Sequence, residues 1–367
     1  MFTTMKAALV ALSFPVLLTI TALSCWYDAR AVLILVFFVV LVAVQAATRR
    51  QGEIEHLPTI VTGPATGETL FFIHGWPDNA SMWDAQVHHM SGKGYRCVTL
   101  TLPHFSGRGD PGGAAVPWGY SFEELAELCG RTLSKSLGEA GQKAGTLVIH
   151  DWGCYVGFYL QRLHPDLVKR IVAMDVGTPP LKGQRLDFAP VMAVAGLVYQ
   201  YWLAMAFALS ASLPVVGQPV GDAMTRFAIA NIGDNHHRGP NAIAGFSASM
   251  NYLYFWFHVN YWLEILGLRA AFHKRYPATV EDGSRRFRVP TLFFYGSDKG
   301  FKFHGENWEK TLVEDPGCKV VPMPSFAEQM LADHGGPKLK SIGHWVMLRD
   351  APTVNYEIEE WLGQVQT

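Results

Sequence analysis

The chain has 367 residues, of which 17% are charged and 49% are hydrophobic, and 30 basic against 31 acidic side chains give a net charge of −1. Because the opposite charges are almost equal in number, the chain has no excess of basic residues with which to bind nucleic acid. Its high hydrophobic content excludes disorder as its general state. An ordinary soluble protein has roughly 25% charged residues, so the low value here favours a membrane attachment or an unusually apolar binding cavity. The five cysteines form no CxxC pair, and neither a metal nor a cofactor is predicted.

The N-terminal region is predicted to attach the chain to a membrane. Residues 7–27 and 31–48 carry no charge, and basic residues stand at both outer ends, Lys6 on one side and Arg49–Arg50 on the other. Each stretch is close to the roughly 20 residues that cross a bilayer. Because basic residues favour the cytoplasmic side, we predict a helical hairpin in the endoplasmic reticulum membrane, with the catalytic part facing the cytosol. A signal peptide cleaved before Cys25 is the competing interpretation.

Short apolar runs alternate with helical stretches in the rest of the chain, a pattern typical of an open parallel sheet covered by helices on both faces. The predicted strands are Thr69–Ile73, Tyr95–Thr101, Thr146–His150, Arg170–Asp175, Thr291–Gly296 and Cys318–Met323. The predicted helices are Ser81–Met90, Ser121–Leu137, Gly153–Leu163, Asn307–Leu312 and Thr353–Leu362.

The alternation breaks in a region rich in aromatic residues, where 188–221 contains no charge at all. If this stretch crossed a membrane, strands of one sheet would lie on opposite sides of it. An inserted helical lid is therefore predicted, with an apolar surface that lines a substrate cavity or rests on the bilayer. The predicted organisation is a membrane anchor at 1–50, a first core part at 51–177, the lid at 178–289 and a second core part at 290–367.

The segment TLVIHDWGCYVGF at 146–158 predicts a nucleophile, because Asp151 stands between a buried strand and a helix. Such a strained strand–turn–helix projects one side chain above the sheet, and the helix N-terminus stabilises its negative charge. A serine that attacked a saturated carbon would leave a stable ether, whereas a carboxylate leaves an ester that water can cleave. Asp151 therefore indicates epoxides or alkyl halides as substrates; a helix-capping role is the alternative.

Two further segments complete a predicted triad. VPTLFFYGSDKG puts Asp298 just after another strand, and SIGHWVMLRDAP puts His344 in a loop before the last helix. The order nucleophile, acid, histidine is that of the α/β-hydrolases. His344 is the predicted base that activates water, and Asp298 is predicted to orient it. A turn residue and a surface histidine are the alternatives for these two positions.

The chain resembles the epoxide hydrolase branch of the α/β-hydrolase superfamily over about residues 55–365. The motifs that carry the resemblance are HGWPDNASMWDAQ (74–86), HDWG (150–153), GSD (296–298) and GHW (343–345). It implies an α/β-hydrolase fold with an inserted lid and a vicinal diol as product. It also implies that the backbone N–H groups of Trp76 and Trp152 hold the oxyanion, and that the peptide bond before Pro77 is cis.

The family places two tyrosines in its lid, which donate a proton to the departing epoxide oxygen. Comparison favours Tyr201 over Tyr199 for the first of them. For the second it favours Tyr254, with Tyr252 left open as a substrate-binding residue together with Trp152. Packed lid aromatics are the alternative for every one of these tyrosines.

Ile149 departs from the family, which usually has a small residue two positions before the nucleophile. Its bulk supports one rival function, a catalytically silent hydrolase fold that serves as a membrane-bound binding protein. The other rival is a haloalkane dehalogenase-like hydrolase, in which indole or amide N–H groups would hold the leaving halide. We expect lipophilic small molecules as substrates; the pattern predicts neither the exact epoxide nor the oligomeric state.

Overall fold

The computed structural model describes residues 54–106, 117–177, 190–213, 215–231, 245–265, 289–297, 302–324 and 343–365. Within these residues the chain forms one seven-stranded sheet in the order β1-β3-β2-β4-β5-β6-β7. The strands are β1 Thr59–Thr62, β2 Thr69–Ile73, β3 Arg96–Leu100, β4 Gly145–His150, β5 Val168–Met174, β6 Thr291–Gly296 and β7 Lys319–Met323. Only the pairing of β1 with β3 is antiparallel.

The central strands are buried on both faces, which explains why they appear in the sequence as unbroken apolar runs. Alternate side chains of a strand point to opposite faces, and the two faces of β2 accordingly join two different cores. Leu70 and Phe72 pack with the C-terminal helix, whereas Phe71 and Ile73 pack with the helices between β3 and β5. The core thus lies above and below one sheet.

The helices of the core cover the two faces of the sheet. They are α1 Asp84–Gly92, α2 Phe122–Glu139, α3 Trp152–Leu163, α7 Glu306–Glu314, α8 Val346–Arg349 and α9 Ala351–Gln364. The start of α2 is fixed by a capping box, in which Ser121 accepts the backbone N–H of Glu124 while the Glu124 side chain accepts that of Ser121.

Between β5 and β6 the described residues form three helices, which we call the lid: α4 Pro190–Ser212, α5 Gly217–Asn231 and α6 Tyr252–Ile265. A short 3₁₀ turn, Ala248–Asn251, leads into α6. The lid packs on the core through aromatic residues. Trp256 donates its indole N–H to the backbone oxygen of Trp118 at 2.8 Å, and the Trp118 ring meets Phe207 edge-on at 5.9 Å.

The structure confirms the predicted mostly parallel sheet flanked by helices, since five of the six pairings between the described strands are parallel. The edge strand β1 was not predicted, because its exposed TIVT sequence forms no apolar run. No helix of the described residues is long and apolar enough to cross a membrane. The predicted anchor at 1–50 lies outside those residues.

Candidate active site

Asp151 lies at the turn between β4 and α3, as predicted, with its backbone at φ 52° and ψ −127°. A positive φ is strained for a residue other than glycine. Gly153 permits the tight turn, since a Cβ atom there would lie 2.4 Å from the backbone oxygen of Ile73. The turn holds the Asp151 carboxylate at the carboxyl end of the central strand.

Ile149, which stands where the family usually has a small residue, is accommodated by a glycine on the helix that follows. Ile149 is fully buried. A Cβ atom on Gly157 of α3 would lie 2.8 Å from both Cδ1 and Cγ2 of Ile149. The missing side chain at Gly157 therefore makes the space that Ile149 occupies.

We expect Gly157→Ala to lower the free energy of unfolding, because crowding of a packed core costs about 1–3 kcal/mol and exceeds the helix-propensity gain of about 1 kcal/mol. Gly138 near the end of α2 is the matched control, since nothing lies within 4 Å of a Cβ atom placed there. Gly138→Ala should raise the stability slightly. Chemical denaturation of the two variants checks this, and equal effects would contradict the close packing of Ile149 on Gly157.

The loop after β2 holds one oxygen of the Asp151 carboxylate. The backbone N–H of Trp76 donates to Asp151 Oδ1 at 2.8 Å. A Cβ atom on Gly75 would lie 2.4 Å from Oδ1 and 2.7 Å from the Trp152 nitrogen, so both backbone groups predicted for the oxyanion lie beside this carboxylate. The Trp76–Pro77 peptide bond is cis, as predicted.

The His74 side chain holds this loop through two hydrogen bonds. Its Nδ1 bonds to the backbone oxygen of Gly75 at 2.8 Å, and its Nε2 accepts the backbone N–H of Leu102 at 2.9 Å. Burial lowers the pKa of His74 to about 4, so the ring is neutral and can donate from Nδ1 while it accepts at Nε2. Both ring nitrogens are thus used in holding the loop.

His344 bridges two carboxylates. Its Nε2 lies 3.3 Å from Asp151 Oδ2, and its Nδ1 bonds to Asp175 Oδ2 at 2.5 Å. Burial by itself lowers the pKa of His344, but the charges of Asp175 and Asp151 and the hydrogen bonds to them outweigh it and raise the pKa to about 9. The imidazole therefore carries a proton at neutral pH while both carboxylates face it.

Asp175 was not among the predicted site residues. It follows β5 directly, is fully buried, and has a positive φ of 70°. Its second oxygen accepts the backbone N–H of Gly296 at 3.4 Å. Asp298, which was predicted to orient His344, lies outside the described residues. The carboxylate that the structure brings to Nδ1 of His344 is that of Asp175.

The backbone around His344 is held by two buried side chains. His150 Nε2 bonds to the backbone oxygen of His344 at 3.0 Å, and Trp345 donates its indole N–H to Asp78 Oδ2 at 2.8 Å. Asp78 belongs to the loop after β2, and His150 directly precedes Asp151. The loop that carries His344 is therefore bound both to the turn that carries Asp151 and to the loop that binds the Asp151 carboxylate.

The tyrosine hydroxyls that meet at the site belong to Tyr199 and Tyr254, which hydrogen-bond to each other. Burial, together with the charge of Asp151, raises the pKa of both above its ordinary value, so both hydroxyls keep their protons at neutral pH. The structure brings Tyr199 to Tyr254 and places Tyr201 elsewhere, and the role predicted for Tyr201 stays a prediction. Residues two apart on a helix face different directions, and the Tyr201 ring stacks on His258 at 3.9 Å.

The two remaining predicted residues belong to the packing around the site. Tyr252 is fully buried and packs on His104 at 5.5 Å and on Phe105 at 6.1 Å, and its role as a substrate contact stays a prediction. Trp152 is buried among aromatic rings and meets Tyr254 edge-on at 5.1 Å. Trp152 thus forms the wall behind the tyrosine pair.

Comparison with known proteins finds sequence similarity over part of the chain. Over 122 residues the chain is 30% identical to Epoxide hydrolase 3 of Siraitia grosvenorii, a match that covers 33% of this chain and 35% of that protein. Over 119 residues it is 33% identical to a haloalkane dehalogenase of Sphingobium indicum, covering 32% and 38%. The matches thus span about a third of the length of these relatives.

The fold is also similar to that of Epoxide Hydrolase A from Mycobacterium thermoresistibile, with a TM-score of 0.54 and 17% identity. This match covers 85% of this chain and 97% of that one. The model of the alpha/beta hydrolase family matches residues 70–355, which is well over half of the chain and includes Asp151, Asp175 and His344. The chain therefore belongs to the α/β-hydrolase family.

Proposed function

We propose that this protein is a membrane-bound epoxide hydrolase that opens lipophilic epoxides to vicinal diols through an ester of Asp151. The observation that carries the proposal is the pair of protonated hydroxyls of Tyr199 and Tyr254, which lie in the electrostatic field of Asp151. A carboxylate that faces hydroxyl donors suits an electrophile whose leaving group is an oxygen that must gain a proton.

In the first step Asp151 Oδ2 attacks an epoxide carbon. The C–O bond of the ring breaks, and the departing oxygen takes a proton from the tyrosine pair. Oδ1 stays on the backbone N–H of Trp76, 2.8 Å away, and becomes the carbonyl oxygen of the ester. The assignment of the two oxygens follows from their partners, because Oδ2 is the one that faces His344 at 3.3 Å.

In the second step His344 takes a proton from water, and the hydroxide adds to the ester carbon of Asp151. Negative charge then develops on Oδ1, where a backbone N–H in other enzymes contributes about 3–4 kcal/mol. The bond to the alkyl oxygen breaks, and the departing alkoxide takes the proton of the re-formed Asp151 carboxyl group and leaves as the diol. Esterification removes the charge of Asp151, one of the causes that raise the pKa of His344, so before it acts as a base the histidine releases its proton, which restores the tyrosine hydroxyl that protonated the epoxide oxygen.

A dehalogenase is the less favoured candidate. The indole N–H of Trp76 donates to Asn251 Oδ1 at 2.8 Å and is thereby occupied by the lid. A leaving halide needs no proton, so paired tyrosine hydroxyls would serve no purpose in its release. Matched epoxides and alkyl halides, assayed for diol and halide release, separate the two functions.

The deciding experiment is a single turnover of the full chain in heavy-oxygen water with short- and long-chain terminal epoxides. We expect the peptide that contains Asp151 to gain the mass of the opened epoxide and then to retain one heavy oxygen, while the first diol carries none. Direct attack of water would instead label the diol. Absence of both an adduct and a diol would support the silent binding protein.

Removal of the Tyr199 or Tyr254 hydroxyl is expected to lower kcat/KM for epoxides by about 10²-fold or more, the usual size of general acid catalysis. Tyr201→Phe is the matched control, because its ring stacks on His258. It should stay close to the wild type. Steady-state kinetics of the three Phe variants check this, and an equal loss for Tyr201→Phe would overturn the assignment of the pair.

The membrane part of the proposal is supported by the uncharged stretches of the N-terminal 50 residues and by the lid surface. Large apolar side chains of the lid are exposed on α4, on α5 and in the turn between them, namely Leu197, Val198, Trp202, Val215, Val216, Val220 and Phe227. A surface of this kind suits contact with lipid and entry of apolar substrates from the bilayer.

Deletion of residues 1–50 is expected to release most of the protein from membranes into the soluble fraction. The reason is that burial of two uncharged stretches of helix length in the bilayer contributes far more binding free energy than contact through the lid surface. Fractionation after high-salt washing measures the change. A deletion variant that stays wholly membrane-bound would show that the attachment lies elsewhere.

The lipophilic substrate class has a separate test. Equal rates on small polar and long-chain epoxides would contradict it.

A further inference from the structure

A buried chain of hydrogen bonds joins the lid to the loop that carries Trp76. Asn251 is fully buried; its Oδ1 accepts the indole N–H of Trp76 at 2.8 Å, and its Nδ2 donates to Thr225 Oγ1 at 2.7 Å. The Thr225 hydroxyl in turn donates to the backbone oxygen of Gly221 at 2.8 Å. Each donor in this chain of hydrogen bonds has an acceptor in the next residue, so the link has one defined geometry.

The lid end of this link is held rigidly. A Cβ atom on Gly221 would lie 2.5 Å from the backbone oxygen of Ala206 and 2.8 Å from Cβ of Ala248. Helix α5 therefore lies in close backbone contact with α4 and with the 3₁₀ turn that contains Asn251. The amide of Asn251 is thus fixed relative to the two helices that carry the tyrosines.

The core end of the link is Trp76, which contacts Asp151 and both tyrosines of the pair. Trp76 gives its backbone N–H to Asp151, and its ring packs on Tyr254 at 5.4 Å and on Tyr199 at 6.2 Å. The orientation of this indole therefore sets how far the tyrosine hydroxyls lie from the carboxylate. Without a partner for its N–H, the indole would leave a buried donor unsatisfied and would favour another orientation.

We propose that Asn251 is a positioning residue, which acts through Trp76 to hold the lid tyrosines in register with Asp151. The inference rests on the proposed function and extends it. Opening of the epoxide needs groups of the lid and the core together, whereas hydrolysis of the ester uses Trp76 N–H and His344, which both belong to the core. Loss of the link therefore slows the first step and spares the second.

The test compares the full chain with Asn251→Leu, which has a similar volume and no polar atoms. Rapid-quench kinetics should show ester formation slowed by about 10–100-fold, the order of loss from a misplacement of about 1 Å. Ester hydrolysis should stay close to the wild-type rate. The matched control is Asn231→Leu, since Asn231 lies exposed at the end of α5 and donates to the backbone oxygen of Phe227.

A double-mutant cycle identifies the partner. Trp76→Phe removes the indole N–H, and adding Asn251→Leu to it should cause little further loss of the ester-formation rate, because both changes break the same bond. Equal slowing of both chemical steps in Asn251→Leu would indicate a general structural role and overturn the proposal. Additive losses in the cycle would overturn it as well.

A measurement without substrate keeps this inference separate from the proposed function. Hydrogen exchange of the Trp76 indole N–H, which donates to Asn251 Oδ1, should become faster in Asn251→Leu and stay unchanged in Asn231→Leu. If the wild type forms no ester, the proposed reaction is wrong, whereas this exchange still decides whether Asn251 holds Trp76. Unchanged exchange in Asn251→Leu would overturn the link itself.

Discussion

His344→Gln is expected to stop the reaction at the ester, so that the opened epoxide stays bound to Asp151. Attack by Asp151 needs no base, whereas hydrolysis needs a group that takes a proton from water beside the ester carbon. His344 Nε2 lies 3.3 Å from Asp151 Oδ2, and no glutamine atom can accept that proton. Turnover should fall by about 10²–10⁴-fold, the contribution of general base catalysis.

Intact-protein mass spectrometry after addition of an epoxide checks this result. The His344→Gln variant should gain one adduct per chain within the first seconds and release almost no diol. His88→Gln is the control for the substitution, because His88 is exposed on α1. Continued release of diol by the His344→Gln variant would show that another group activates the water.

The sheet could be predicted from the sequence because its strands are buried on both faces. β2 and β6 were predicted at their observed bounds, since each is an unbroken apolar run ended by a polar or small residue. The same logic placed Asp151 at the end of β4, where the carboxyl ends of parallel strands collect site residues. The exposed edge strand β1 gives no such signal.

The choice between Tyr199 and Tyr201 could not be made from the sequence for a physical reason. Helix α4 has no charged residue, so no polar stripe indicates which side faces the core. The family pattern favoured Tyr201, and the helix itself gives no sign of which of the two tyrosines faces the core. Only the packed structure, in which Tyr199 meets Tyr254 and Trp76, distinguishes them.

Asp175 was not predicted for a related reason, and the role predicted for Asp298 stays a prediction. Asp175 and Asp298 both follow a strand, and both stand between Asp151 and His344 in the chain, so the order of residues fits either. In the sheet β5 pairs directly with β4, while β6 is one strand further away. Among the described residues, Asp175 after β5 is the carboxylate that bonds to Nδ1 of His344.

Asp175→Asn is expected to lower kcat by about 10⁴-fold, as the same change does to the orienting aspartate of a Ser-His-Asp triad. The Asp175 carboxylate accepts the Nδ1 proton of His344 at 2.5 Å and leaves Nε2 free to take a proton from water. An amide can instead donate to Nδ1, which moves the proton to Nε2 and blocks the base. Ester formation should persist, so the adduct on Asp151 should accumulate.

The pH dependence gives an independent check on Asp175. Its charge is the main cause that raises the pKa of His344 to about 9, so Asp175→Asn should move the acidic limb of ester hydrolysis to lower pH. The direction follows because a histidine with a lower pKa stays unprotonated in more acidic solution. Asp298→Asn is the matched variant, and we expect it to keep both the rate and the limb close to the wild type. The reverse outcome, with Asp298→Asn inactive and Asp175→Asn active, would return the acid to the position that the sequence alone suggested.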